Sequence, residues 1–78
     1  MQGPTIVAVE PTQRFAANLR SAREAASLSQ EALADAANMH RTEISLLERS
    51  GREPRLTTIV RLARALDRLP ATLLEGIR

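Results

Sequence analysis

The chain has 78 residues, with 11 arginines, no lysine, nine acidic residues and a formal net charge of +2. A chain this short forms one small domain and buries only about 60% of the surface that it exposes when unfolded. It contains no cysteine, which excludes a disulfide, a thiolate metal ligand and a cysteine nucleophile. A histidine-based metal site needs several histidine ligands, and the chain has only His40, so we expect neither a metal nor another cofactor.

The N-terminal stretch MQGPTIVAVEP combines a short apolar run with glycine and proline. It lacks a basic segment before the apolar run, which argues against a secretory signal and favours a cytoplasmic location. No run of about 18 apolar residues occurs, so a membrane-spanning helix is not expected. We predict a flexible N-terminal arm over residues 1–11, with a short pairing strand as the alternative, and a folded domain over residues 12–78.

From Thr12 onward, apolar residues recur at spacings of three and four, which predicts helices. Thr12 is the expected N-cap of the first helix, which buries Phe15 and Leu19. The second helix begins after Ser29, another capping residue. It ends at Asn38, a residue type that tolerates a left-handed backbone.

A third helix is predicted from His40 to Arg49, because the Ser50–Gly51 pair stops it. The stretch RLTTIVRLARALDRL carries an apolar stripe and predicts the fourth helix. Pro70 suits the first position of a last short helix, which Gly76 closes. The sequence therefore predicts an all-α domain of five short helices.

The second helix has small side chains, which allow the third helix to approach it closely. They are Ala32, Ala34, Ala36 and Ala37. Two short helices joined by a tight turn, with small residues at their crossing, are typical of a helix-turn-helix. We place this motif at about residues 29–49.

The third helix carries a strip of side chains opposite its buried residues Ile44 and Leu47. The strip consists of Arg41, Thr42, Ser45, Leu46 and Arg49. A cation in the first turn of a helix opposes the helix dipole, so Arg41 suggests a partner that compensates it. A helix with such a strip can enter the major groove of DNA, where side chains contact base edges.

Each polar residue of this region has a chemistry that suits DNA. Arg41 can bind guanine or a phosphate, and Thr42 can hydrogen-bond a base. Leu46 gains contact against a thymine methyl group. The guanidinium groups of Arg49 and Arg52 can hold phosphates.

Gln30 stands at the start of the second helix, whose N-terminal amides can bind a phosphate. The simpler interpretation of Arg41 and Glu43 is that they are ordinary solvated charges. For His40, a capping or solvent-exposed role is favoured over a catalytic one. One histidine, no cysteine and no glycine-rich phosphate loop argue against an enzyme.

The stretch LSQEALADAANMHRTEISLLERSGREPRLTTIVRLARAL resembles the helix-turn-helix family of lambda repressor and Cro, also called the xenobiotic-response-element family. The resemblance extends over roughly residues 12–75. The part HRTEISLLER is also similar to the small controller proteins of restriction-modification systems and to short bacterial regulators. Such domains bind operator DNA, usually as two-fold symmetric dimers.

The resemblance implies roles for individual residues. Gln30 would contact the DNA backbone, while Arg41, Thr42 and Leu46 would read bases and Arg49 would touch a phosphate. It also implies a structural ion pair between Arg23 and Glu48 that joins the first and third helices. Ser50 departs from the family pattern, since glycine is common at its position.

The sequence thus predicts a bacterial transcriptional regulator, a repressor or a controller, that recognises double-stranded DNA sequence-specifically. It would bind an inverted-repeat operator as a homodimer through the recognition helix 40–49, in the cytoplasm and associated with the nucleoid. Two alternatives remain at this point. One is a helix-turn-helix module that binds a protein partner. The other is an antitoxin, for which residues 1–11 would have to supply the toxin-binding segment.

Overall fold

A computed structural model describes residues 10–78. Five helices follow one another: α1 (Pro11–Ala25), α2 (Gln30–Ala37), α3 (Arg41–Glu48), α4 (Leu56–Ala65) and α5 (Pro70–Leu73). Within residues 10–78 there is no strand, and the prediction of an all-α domain with five short helices is confirmed. The arm predicted over residues 1–11 lies almost entirely outside the described residues.

Helix α1 begins earlier than its sequence pattern predicts, and the prediction of Thr12 as its N-cap is wrong. Glu10 caps the helix instead, accepting hydrogen bonds from the backbone N–H groups of Thr12 at 2.9 Å and Gln13 at 3.3 Å. Its carboxylate also accepts from the Thr12 hydroxyl. Pro11 occupies the first helical position, where its fixed φ suits a helix and its missing N–H is not needed.

Every helix contributes at least one fully buried side chain to a single core. The largest are Phe15, Leu19, Leu33, Ile44, Leu62 and Leu73. Burying an apolar side chain of this size stabilises the fold by about 1.5–3 kcal/mol. The core therefore lies where all five helices meet, and it supports α3 from one side only.

Helix α2 is thin on its inner side, where Ala34 and Ala37 are both buried. It packs against both α3 and α4. Since an alanine side chain adds only a methyl group, the backbones of these helices can approach closely. Of the four alanines identified in the sequence, Ala34 and Ala37 are buried at this crossing, whereas Ala32 is half-buried and Ala36 is exposed.

The first four helices end in left-handed turns made by residues other than glycine. The residues are Ser27, Asn38, Ser50 and Asp67, with φ between 56° and 62°. After α3, Ser50 has φ 62° and the N–H of Gly51 bonds back to the carbonyl of Leu46 at 2.8 Å. The Ser50–Gly51 stop is present, but Ser50 takes the conformation that glycine adopts most easily.

The C-terminal turn is fastened to α1 by a side-chain amide. Asn18 Nδ2 donates to the carbonyl oxygens of Leu73 at 3.0 Å and Glu75 at 2.9 Å. Gly76 has φ 80°, and a Cβ at this position would lie 3.2 Å from Arg14 Nε. This close approach to α1 favours glycine at the turn.

None of the helices within residues 10–78 has the combination of length and apolar character needed to cross a membrane.

Candidate nucleic-acid interface

A largely buried ion pair fixes the C-terminal end of α3. Arg23 on α1 donates from Nε to Glu48 Oε2 at 2.6 Å and from Nη2 to Oε1 at 3.0 Å. The two side chains are only 12% and 4% exposed. These hydrogen bonds with the carboxylate raise the pKa of the Arg23 guanidinium above its ordinary value, so this side chain stays charged.

A third helix shares this polar cluster. Gln30, the first residue of α2, donates from Nε2 to Glu48 Oε1 at 3.1 Å. Arg23 Nη1 donates to the carbonyl of Leu28, in the connection before α2, at 2.8 Å. The carboxylate of Glu48 thus joins α1, α2 and α3. The structure places Gln30, predicted from the sequence to contact DNA, with its amide nitrogen turned to this cluster.

The start of α2 is capped and points its first amides out of the helix. Ser29 Oγ accepts a hydrogen bond from the N–H of Ala32 at 3.0 Å, as the sequence predicts for an N-cap. The remaining N-terminal amides carry the positive end of the helix dipole, which favours an anion such as phosphate. Glu31 in the first turn already supplies one negative charge there.

Most of the predicted strip on α3 is accessible. Arg41, Thr42 and Arg49 are exposed, and Ser45 is half-buried, while Ile44 and Leu47 on the other side are buried. The carboxylate of Glu43 accepts from the backbone N–H of His40 at 3.3 Å, which helps to hold the first turn. The helix therefore offers an outer side that is polar except at Leu46.

The two arginines at the ends of the strip differ in their local electrostatics. Arg49 donates from Nε to the carbonyl of Ser45 at 3.3 Å, where the helix dipole favours a cation. Arg41 stands in the first turn, where the dipole disfavours it, and it forms no ion pair within residues 10–78. An external anion near Arg41 would remove this unfavourable interaction.

Leu46 is half-buried rather than fully exposed. A Cβ added to Gly51 would come within 3.2 Å of Leu46 Cδ2, so the leucine side chain lies against this turn. Part of its apolar surface therefore stabilises the end of α3. The rest remains available to a partner.

Further arginines surround the loop between α3 and α4. Arg52 and Arg55 are both exposed, and they line a depression of about 450 Å³ with Arg61 from α4 and with two carboxylates, Glu43 and Glu53. Arg55 and Arg61 were not among the site residues predicted from the sequence. Arg55 follows Pro54 directly and stands at the N-cap of α4, three residues after Arg52. This position in the sequence could have identified Arg55 as a member of the same site.

Two short helices that cross closely at a tight turn, the second with an accessible polar side, define a helix-turn-helix domain. The sequence profile of the family described as Helix-turn-helix matches residues 19–74. The chain belongs to this family of lambda-repressor-like, DNA-binding transcription regulators.

Individual relatives agree with this assignment. The chain is 45% identical over 53 residues to Control protein C.SmaI of Serratia marcescens, an alignment that covers 68% of this chain and 63% of the relative. It is 41% identical over 56 residues to the uncharacterized HTH-type transcriptional regulator y4dL of Sinorhizobium fredii, covering 72% and 29% of the two chains. The chain thus spans less than two thirds of the length of either relative.

The fold is shared with a solved controller protein. The crystal structure of the restriction-modification controller protein C.AhdI from Aeromonas hydrophila superimposes with a TM-score of 0.78 at 39% sequence identity. The match covers 80% of this chain and 94% of C.AhdI. Nearly the whole of that controller protein therefore corresponds to the domain described above.

Proposed function

We propose that the chain is a sequence-specific transcriptional regulator that binds an inverted-repeat operator in double-stranded DNA as a homodimer. The observation that carries the proposal is the accessible strip on α3, whose far end is held by the Arg23–Glu48–Gln30 cluster. A helix held in this way presents its outer side chains in one fixed orientation, which base recognition in the major groove requires.

Each residue of the interface has a proposed role. Arg41, Thr42 and Ser45 contact base edges at the start and middle of α3, and Leu46 contacts a thymine methyl group with the surface that Gly51 leaves open. Arg49 and Arg52 bind phosphates near the other end of the helix. Phosphate contacts set the position of the protein on DNA, and base contacts set the sequence that it prefers.

For Gln30 we propose two simultaneous roles. Its side chain positions Glu48, while its location at the start of α2 brings the N-terminal amides of that helix to the DNA backbone. Arg55 and Arg61 belong to the same basic surface as Arg52 and add to its attraction for phosphate.

Two copies of the chain would present two α3 helices to one face of the duplex. In helix-turn-helix dimers the two half-sites are about 34 Å apart, one turn of DNA, or a multiple of that distance. The similarity to two control proteins, C.SmaI and C.AhdI, supports a controller or repressor role for this chain. Such a role would place it on the bacterial nucleoid.

Electrophoretic mobility shifts test the proposal directly. DNA from upstream of the gene for this protein should be retained over a random fragment of equal length, and nuclease footprinting should show two protected half-sites. The logarithm of the affinity should fall with the logarithm of the salt concentration by about 0.9 for each phosphate contact. A protein that binds no double-stranded fragment at low ionic strength would disprove the proposal.

The dimer is tested separately by analytical ultracentrifugation with and without the operator. A dimer on DNA is expected, with twice the mass of the chain bound per inverted repeat. One bound chain per operator would reject the homodimer while leaving DNA binding by α3 intact.

A further inference from the structure

A groove lies between the C-terminal half of α2 and the outer side of α4. Its volume is about 680 Å³, and its apolar floor comprises Ala36, Ala37, Val60 and Ala65, while Asn38 and Thr57 add polar groups to the lining. Leu56 stands at one end with 73% of its surface exposed. No side chain within residues 10–78 covers this leucine, although its exposure to water is unfavourable.

The rim of the groove is basic. Arg61 and Arg64, three residues apart on α4, are both exposed and line the groove, and none of the acidic residues in the described part of the chain lines it. Neither arginine forms an ion pair with another residue of the described part of the chain. Arg64 also borders a neighbouring depression, together with Asp67, Arg68 and Leu69.

Three occupants can be compared by their chemistry. A second copy of the chain, related by a two-fold axis, would place Arg61 and Arg64 against their own equivalents, which is electrostatically unfavourable. Duplex DNA would satisfy the arginines, but its phosphates would leave Leu56 and the apolar floor uncovered. A helix with an apolar side and flanking carboxylates satisfies both parts of the groove.

We infer that the groove between α2 and α4 binds an acidic amphipathic helix of a partner protein. Leucine-type side chains spaced at three and four residues pack on the apolar floor and against Leu56. Carboxylates beside them accept hydrogen bonds from Arg61 and Arg64, a geometry that guanidinium groups form in bidentate fashion. Helix α4 has ten residues and is about 15 Å long, so just under three turns of a partner helix fit along it.

This surface is distinct from the proposed DNA-binding strip. None of the strip residues from Arg41 to Arg49 lines the groove. Arg61 also borders the depression lined by Arg52 and Arg55, so the groove adjoins the surface proposed to attract phosphates but leaves the strip on α3 uncovered.

A synthetic peptide of about 18 residues tests the inference without DNA. It carries leucines at helical spacings of three and four, with glutamate and alanine elsewhere. A second peptide has lysine in place of every glutamate. Fluorescence anisotropy gives the affinity of each peptide for the chain, and ¹⁵N chemical shifts show where each one binds.

A charge exchange makes the test specific. The wild-type chain should bind the acidic peptide at least about tenfold more tightly than the lysine peptide, with shifts at Val60 and Ala36. The R61E/R64E variant should reverse this preference. The R20E/R78E variant makes the same change of net charge at exposed positions outside the groove and should keep the wild-type preference. Circular dichroism establishes that each variant is folded.

Several results would overturn the inference. One is equal affinity of the wild-type chain for the two peptides, and another is an unchanged preference in R61E/R64E. Shifts confined to α3 would assign the peptide to the DNA-binding strip. If Leu56→Asp converts a dimer to a monomer in ultracentrifugation, the groove is the interface with a second copy of the chain. If duplex DNA shifts the resonance of Val60, the groove binds nucleic acid instead.

Discussion

Arg23 and Glu48 form a bidentate ion pair that joins α1 to the C-terminal end of α3, with N–O distances of 2.6 and 3.0 Å. The pair is separated by 25 positions in the sequence and is largely withdrawn from water. Because Gln30 bonds to the same carboxylate, one side chain fixes the relative placement of three helices. The orientation of the proposed recognition helix depends on this carboxylate.

Replacement of Glu48 by alanine should destabilise the fold. It leaves the Arg23 guanidinium largely buried without its partner, which costs about 3–5 kcal/mol. Urea unfolding followed by circular dichroism measures the change. Glu24→Ala is the matched control, because the Arg20–Glu24 pair is 64% and 59% exposed and contributes at most about 1 kcal/mol. Equal losses in both variants would remove the structural role of Glu48.

Replacement of Ser50 by glycine should stabilise the fold. Ser50 has φ 62°, a conformation that costs a residue with a side chain about 1–2 kcal/mol and that glycine adopts freely. Part of this gain is offset because glycine has more freedom in the unfolded chain, so we expect about 0.5–1 kcal/mol from thermal unfolding.

The same substitution at a helical position provides the control. Ser21 is exposed within α1, and Ser21→Gly should destabilise the fold by about 0.5 kcal/mol. If the two substitutions change the free energy of unfolding in opposite directions, backbone conformation is the cause of the effect at Ser50. A loss of stability in Ser50→Gly would show that the Ser50 side chain matters more than its φ.

Replacement of Arg41 by alanine should weaken binding to the operator by about 1–3 kcal/mol and relax the preference at one base pair. Competition mobility shifts with operators mutated at single positions measure both effects. Arg20→Ala, on the exposed side of α1, removes the same charge and should change the affinity far less. Equal losses on operator and random DNA would assign Arg41 to a phosphate instead of a base.

Glu10 should make the stability of α1 depend on pH. The hydrogen bond from the Thr12 hydroxyl and those from the backbone N–H groups of Gln13 and Thr12 hold the pKa of the Glu10 carboxyl below its usual value. A depressed pKa in the folded state contributes stability that is present above the unfolded pKa, about 4.3, and is lost as pH falls through the folded value.

Glu10→Gln should therefore melt below the wild type at neutral pH, and the difference should shrink as the pH falls through the lowered pKa of the folded Glu10 carboxyl. Melting temperatures of both proteins across this range provide the measurement. Glu53→Gln removes a carboxylate from an exposed loop position and controls for the change in net charge. A difference in melting temperature that does not vary with pH would rule out the carboxylate cap.

The helices were predictable because their signal is local. A spacing of four residues places Phe15 and Leu19 on one side of α1, and a spacing of three places Ile44 and Leu47 on one side of α3. All four residues are buried in the structure. The start of α1 was not predicted, because the longer side chain of Glu10 reaches forward to the amides that Thr12 was expected to cap. Helix ends depend on such single contacts more than helix centres do.

The exposure of the proposed interface residues was predictable in part. Arg41, Thr42 and Arg49 are exposed, as their positions on α3 indicate, but the partial burial of Leu46 results from the turn at Gly51. The ion pair of Arg23 with Glu48 was implied only by family resemblance, since no spacing rule links residues so far apart. Helix packing determines the position of the Gln30 amide and the shape of the groove between α2 and α4. The residue pattern within a single helix does not predict how helices pack.

The division of α3 into a buried side and an accessible side has an evolutionary consequence. In the proposed complex, substitutions at positions 41, 42 and 45 would alter surface outside the core, so DNA preference could diverge between paralogues while the scaffold stays constant. A library randomised at these three positions should yield mostly folded proteins with altered targets. Orthogonal genetic switches could then be selected from one parent domain.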